Sequence, residues 1–260
     1  MYEYWRRSIG VLTEEQIGRL RGKTVAVAGV GGVGGLLAER LSRTGIGRLR
    51  IADPDIFQPS DMNRQFGCST ETMGRPKAEV IGEVLQPMAP ETRIEVAPER
   101  VSSENAAEFV RGADLVACEI HAEALDDIVA VCEAGREADV PVIATSLFYG
   151  FGAAMCTFVP DGPEPGMLLE YLHWRQQEQE IPGTAATPRP PVSSTAPACA
   201  VAAGVASAEI LMYLAGVRDP EIVMPEVLVV DPKRYRMEVI DLGPFIERCE
   251  AVFESLSAEA

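Results

Sequence analysis

Thr24-Val25-Ala26-Val27-Ala28-Gly29-Val30-Gly31-Gly32-Val33-Gly34-Gly35 decides the fold. Its first five residues are a short β-rich run. Glycines come immediately after, and then Leu36, Leu37 and Leu41 fall into a helical pattern. A strand that breaks into glycines and re-emerges as a helix puts backbone N–H groups at a helix N-terminus. The partial positive charge there favours phosphate, and glycine lets the backbone come close to it. The next strand, over 48–52, ends at Asp53, nineteen residues after Gly34. The first 53 residues therefore read as a βαβ unit with an acid at the tip of its second strand. Taken alone, G-x-G-x-x-G most often marks a dinucleotide fold in which that acid binds a ribose hydroxyl pair. An NAD(P)-dependent oxidoreductase is the reading that stops there.

Outward from this unit, 76–85 predicts a helix and 93–97 a strand. The segments 114–119 and 141–147 predict buried strands separated by a helix over 123–138. Strands alternating with helices imply a parallel sheet. After Gly150 the pattern changes: 151–159 predicts a strand preceded by a short turn, and 226–230 with 236–241 a hairpin around Pro232. The fold class is therefore α/β, a Rossmann-like parallel sheet continuing into antiparallel strands, with helices on both faces. One domain over 1–260 is expected, with a nucleotide-binding half at 20–150 and a substrate-side half at 151–242. The polar, proline-rich stretch 176–196 predicts a mobile loop over the site. The tail 243–260 predicts an amphipathic helix carrying Cys249, Val252, Phe253 and Leu256.

Composition narrows the partners. A net charge of -16 repels polyphosphate backbones, so neither nucleic acid nor an anionic membrane is an expected partner. The apolar stretch 198–215 is rich in alanine and glycine and carries Glu209, which predicts a buried core helix rather than a membrane span. No apolar segment succeeds the arginines of Met1–Ser8, and a cytoplasmic protein is expected. The six cysteines form no C-x-x-C pair, which argues against a structural zinc site and against a disulfide framework.

The residues beyond Asp53 separate this chain from a dehydrogenase. In Asp53-Pro54-Asp55 … Asp61-Met62-Asn63-Arg64-Gln65 … Gly74-Arg75-Pro76-Lys77, an arginine and a lysine stand thirteen residues apart just past the ribose-binding acid. Two cations beside a glycine-rich loop suit a triphosphate whose α-phosphorus is attacked while charge builds on pyrophosphate. In these motifs the sequence resembles the ThiF/MoeB/HesA superfamily, the ubiquitin-activating-enzyme-like adenylyltransferases, which carry G-x-G-G-x-G, D-x-D, N-x-x-R-Q and P-K in this order. The resemblance implies an enzyme that uses ATP and Mg2+ to activate a carboxylate as an acyl-adenylate, the carboxylate being the C-terminus of a ubiquitin-like or sulfur-carrier protein, a peptide or a small-molecule acid. It implies Asp53 on the ribose, Arg64 and Lys77 on the phosphates, and Gly29, Gly31, Gly32 and Gly34 under the nucleotide, with Asp55, Asp61 and Gln65 completing the nucleotide site. Tyr4-Trp5-Arg6-Arg7 resembles a segment whose arginine reaches the γ-phosphate of the other subunit, which makes Arg6 a catalytic candidate and implies a homodimer.

The chain departs from the pattern at three places. Asp61 stands where the family has asparagine. The strand after Asp114 runs into Cys118-Glu119-Ile120-His121 instead of ending in the family's metal-holding aspartate, so Glu119 or Asp126 is expected to take the Mg2+ role, with Asp126, on the first turn of the next helix, the choice and a catalytic candidate. The zinc-binding cysteine pairs of many relatives are absent, which resembles the zinc-free subgroup. A nucleotide-binding scaffold without catalysis is the alternative that the segment 118–121 leaves open. His121 is either a packed histidine or a substrate contact. Cys199, at a predicted helix N-terminus, is either a core residue or a thiol of lowered pKa.

Overall fold

The computed structural model describes residues 3–121, 124–148, 152–163, 165–166 and 194–244. One sheet of eight strands runs through it: β1 (Thr24–Ala28), β2 (Arg48–Ala52), β3 (Arg93–Ala97), β4 (Leu115–Cys118), β5 (Val142–Phe148), β6 (Gly152–Phe158), β7 (Glu226–Asp231) and β8 (Arg236–Asp241), in the spatial order β3-β2-β1-β4-β5-β6-β7-β8. From β3 to β5 all neighbours are parallel, and from β5 to β8 all are antiparallel. The expected change of direction after residue 150 is therefore present. The helices are α1 (Glu14–Leu20), α2 (Gly34–Arg43), α3 (Lys77–Met88), α4 (Ala106–Val110), α5 (Leu125–Glu137) and α6 (Ala196–Ala215).

Strand alternation divides the side chains between two cores. Val25, Val27, Leu49, Ile51, Leu115 and Ile143 face one side, under α1, α2, α3 and α6. Ala26, Ala28, Val116, Cys118 and Val142 face the other, under α4 and α5. Leu37, Leu41, Leu49 and Ile51 are fully buried, each contributing about 2 kcal/mol by removal from water. Two of the helices lie outside the sequence-based expectations. Thr13 caps α1 by accepting from the Gln16 N–H at 3.2 Å, and the Gln16 side chain accepts in return from the Thr13 N–H at 2.9 Å. The second, α4, has only five residues.

α6 begins with proline in its first turn and ends at Gly216, whose left-handed φ of 72° lets the chain close back on the Met212 and Tyr213 carbonyls. By length and composition α6 could cross a membrane, but half of its most apolar window is buried within the protein, against α1, α2, β5 and β6. Its one acid, Glu209, is buried and takes two hydrogen bonds from the Arg218 guanidinium, at 2.6 and 3.0 Å. Of the loop expected over 176–196, only 194–196 lie among the described residues. There Ser194 makes an isolated bridge and Ala196 opens α6. The helix expected over 243–260 lies outside the described residues beyond Pro244.

Sheet order places the site. The chain leaves β1 in one direction for β2 and β3, and resumes on the other side at β4. The crevice between the carboxyl ends of β1 and β4 is thus a topological switch point, where ligands of open α/β sheets bind.

Candidate active site

The glycine turn leaves β1 at this crevice. Gly29 has φ +91°, and a Cβ there would lie 2.6 Å from the carbonyl oxygen of Glu119, so only glycine lets β1 and β4 end side by side. A Cβ on Gly34 would overlap the carbonyl oxygen of Gly29 and stand 3.2 Å from the Glu119 Cβ. The turn is pinned from the neighbouring strand: Asp53, at the end of β2, accepts from the Val30 N–H at 2.8 Å and from the Asp55 N–H at 2.9 Å. Burial pushes the Asp53 carboxyl above its ordinary range, while those two N–H groups and Lys77 pull it back.

Of the two predicted cations, Arg64 packs on this turn and Lys77 reaches the acids beside it. The Arg64 side chain lies against Gly32, with Cγ and Nε each 3.7 Å from the position of a Cβ there. Its Nη1 donates to the Ser60 carbonyl and to Asn63 Oδ1, both at 2.9 Å. Lys77 lies on the helix expected over 76–85. It opens α3, is only 6% exposed, and holds its Nζ 3.1 Å from Asp55 Oδ2 and 3.7 Å from Asp61 Oδ2. Asp61 is equally buried and sits between the cations: its Oδ1 lies 3.7 Å from Arg64 Nη2 and accepts from Gln65 Nε2 at 2.6 Å, and its Oδ2 accepts from the Gln58 N–H at 2.9 Å. The Gln65 amide faces Gly31, and its Oε1 is buried without a hydrogen-bond partner.

Of the two acids expected at the metal, Glu119 is the one in contact with the glycine turn. It stands just past β4; one carboxylate oxygen accepts from the Thr145 hydroxyl on β5, and Oε1 is buried with no partner. Burial pushes its carboxyl up to about 8, against the Thr145 hydrogen bond. Asp126 is exposed on the first turn of α5, and it is the neighbouring Asp127 that turns inward, to Arg100 Nε at 2.7 Å. Among the described residues no three His, Cys, Asp or Glu side chains gather into a metal cluster. Thr145 is invisible in the sequence, because a threonine inside a buried strand run carries no signal of what lies opposite it.

Of the two readings of Cys199, the structure agrees with the core residue. Its thiol is fully buried beneath the glycine turn, 2.9 Å from the position of a Cβ on Gly32. Burial raises its pKa, with Arg64 acting in the opposite sense, so the helix N-terminus does not yield an activated thiolate. Cys118 and Cys156 are core thiols pushed up to about 12 by burial. His121 is exposed after β4.

Arg6 lies far from all of this within its own chain. Trp5 is buried, with Gly45 against its indole edge and the Arg21 guanidinium 5.1 Å from its ring centroid. Arg21 and Gly45 precede β1 and β2, whose five-residue length sets the N-terminal segment about 16 Å from the glycine turn. Arg6 itself is exposed.

Sheet, turn and cations together define an α/β nucleotide-binding fold of one particular family. The chain belongs to the ThiF family, which matches residues 5–251. It is 40% identical to the sulfur carrier protein adenylyltransferase of Thermus thermophilus over 98 residues, 38% of this chain and 36% of that protein. It is 31% identical to the SAMP-activating enzyme E1 of Haloferax volcanii over 152 residues, 56% of this chain and 53% of that protein. It is also 36% identical to the tRNA threonylcarbamoyladenosine dehydratase of Haemophilus influenzae over 117 residues, 44% of this chain and 45% of that protein. The chain thus matches about half or less of each of these relatives. In fold it resembles PaaA, with a TM-score of 0.71 at 19% identity over 87% of this chain and 75% of that one. It also resembles E. coli MccB solved with ATP, with a TM-score of 0.69 at 19% identity over 88% and 66%.

Proposed function

We propose that this chain is an ATP-dependent adenylyltransferase that activates a carboxylate as an acyl-adenylate and releases pyrophosphate. The observation that carries the reading is a glycine turn at the switch point of the sheet, pinned by Asp53 and covered by Arg64, with Lys77 sharing Asp61 with Arg64. The mechanism needs no protein nucleophile. The substrate carboxylate attacks the α-phosphorus, the glycine turn and Asp53 fix the nucleotide, and the cations take up the charge that grows on pyrophosphate. This agrees with a buried, protonated Cys199 that has no covalent step to perform.

Magnesium fits the site. A small hard cation held by one or two carboxylates together with phosphate oxygens needs no cluster of protein ligands, and the unpartnered Oε1 of Glu119 is an oxygen free to take part. When bound, the ion neutralises charge across the phosphates. Asp126, outside the contacts of the glycine turn, is the weaker candidate for that role. The proposed substrate is the C-terminus of a sulfur-carrier or ubiquitin-like protein, as the name of the Thermus thermophilus relative suggests, or a peptide or small-molecule acid. A zinc-free, cytoplasmic enzyme is part of the same proposal.

Adding nucleotides one at a time tests the reading. ATP with Mg2+ is expected to raise the melting temperature while NAD and NADP leave it unchanged. Pyrophosphate exchange that depends on an added carboxylate then separates an enzyme from a nucleotide-binding scaffold. Stabilisation by NAD and none by ATP would reject the proposal.

We also propose a homodimer in which Arg6 serves the partner's site, because the Trp5 anchor keeps it from its own. Arg6→Ala and Arg64→Ala chains, each inactive alone, are expected to recover roughly a quarter of wild-type exchange when mixed. That figure assumes random pairing, in which half the dimers are mixed and each mixed dimer has one intact site. No recovery, or a monomer at assay concentration, refutes it.

A further inference from the structure

The phosphate-facing cations are already neutralised by the protein itself. Arg64 and Lys77 face Asp55 and Asp61, so the group is formally neutral before any nucleotide arrives. The two acids differ in freedom. The Asp55 side chain is 65% exposed and can turn into water, but the Asp61 side chain is 8% exposed and tied down at both oxygens by the Gln58 N–H and the Gln65 amide. Its hydrogen-bond and ion-pair partners are the Gln58 N–H, the Gln65 amide, Arg64 and Lys77, donors and cations only. Phosphate entering beside Arg64 and Lys77 therefore meets a buried negative charge that cannot swing away.

We infer that Asp61 is an internal counter-anion that makes nucleotide binding conditional on a divalent cation: it discourages metal-free ATP, with four negative charges, far more than the metal complex, with two. The inference rests on the ATP-binding reading and gives Asp61 a role opposite to that of a nucleotide contact. Like charges held a few ångströms apart away from bulk water repel strongly, and the repulsion scales with the ligand's charge. The same arrangement keeps Arg64 and Lys77 in place without a ligand, so the site is preorganised without being an indiscriminate phosphate trap.

Calorimetry with ATP, in EDTA and in excess Mg2+, tests this on the intact chain. The quantity read is the ratio of the two dissociation constants. In the wild type it is expected to be large. Asp61→Asn keeps the shape and should lower it about tenfold or more, chiefly by tightening metal-free ATP, whereas Asp61→Glu keeps the charge and should restore the wild-type ratio. A purely structural role would weaken both titrations in parallel and leave the ratio fixed, which overturns the inference. Weakening of the Mg2+ titration alone in Asp61→Asn would make Asp61 a metal ligand and also overturns it. If Asp61→Asn does not fold, Asp55→Asn, at an exposed side chain, should move the ratio in the same direction by a smaller factor, and an unchanged ratio there counts against the inference. No binding of ATP to the wild type with Mg2+ would sink the adenylyltransferase reading as well, whereas normal binding with an unmoved ratio sinks only the role of Asp61.

Discussion

Arg64→Ala is expected to lower carboxylate-dependent pyrophosphate exchange by about 10²–10³-fold, the loss typical of removing one preorganised donor to a developing charge. The side chain lies against Gly32, and its neutral hydrogen-bond partners, the Ser60 carbonyl and Asn63 Oδ1, belong to its own short loop. Its removal leaves Asp61 with Lys77, Gln65 and the Gln58 N–H, so the fold should survive. Lys77 is the poorer probe although it is the better-buried cation. Both cations stand 3.7 Å from Asp61, but the Lys77 side chain is 8% exposed against 22% for Arg64, and breaking so buried a pair costs about 3–5 kcal/mol, which confounds lost chemistry with lost structure. Exchange should be measured alongside a melting curve. A folded Arg64→Ala chain with near-normal turnover would remove Arg64 from the mechanism.

Gly34→Ala should fail for a reason unrelated to charge. The new methyl would overlap the Gly29 carbonyl oxygen, a backbone atom that cannot give way without moving the end of β1, while the Glu119 Cβ closes the other side. Overpacking of this kind costs about 3 kcal/mol or more, which for a chain of this size lowers the melting temperature by roughly 6–12 °C. Stabilisation by ATP should disappear with it, because the helix N-terminus shifts. Gly204→Ala is the matched control. It lies in α6 with nothing within 4 Å of the added methyl, and alanine there should raise stability by about 0.5–1 kcal/mol. A Gly34→Ala chain as stable and as ATP-responsive as its parent would show that the turn is plastic.

The sheet is legible in the sequence because its signals are local. β1 and β4 are short apolar runs and β2, β3 and β8 mix apolar with charged residues, and the shift from crossovers to hairpins after 150 marks where the sheet turns antiparallel. Asp53, Arg64 and Lys77 are legible because their spacing from the glycines is itself the signal. For α1 the signal is Thr13-Glu14-Glu15-Gln16, a capping box that hydropathy patterning does not register. Distance across the fold is what a sequence does not carry. Nothing near Asp61 says that it would lie between two cations, nothing near Thr145 that it would face Glu119, and nothing near Cys199 that α6 would press it under a glycine 167 positions earlier in the chain. The same limit applies to Lys77: the helix over 76–85 is legible, but nothing in it says that its first side chain is buried against Asp61.

The strand order also governs how the molecule is born. β1 is central, paired on one side with β2 and on the other with β4, and Asp114 reaches back to the Lys23 ammonium at 2.7 Å and to the Thr24 N–H at 2.8 Å, across ninety residues. As synthesis proceeds from the N-terminus, the glycine turn and Asp53 emerge early but have no Glu119 to close against until β4 has been made. Closing so long a loop is slow, and until it happens the Val25 and Val27 strand keeps an unpaired edge open to wrong neighbours. The part of the chain that looks most self-contained in sequence is thus the part that must wait longest for its missing wall.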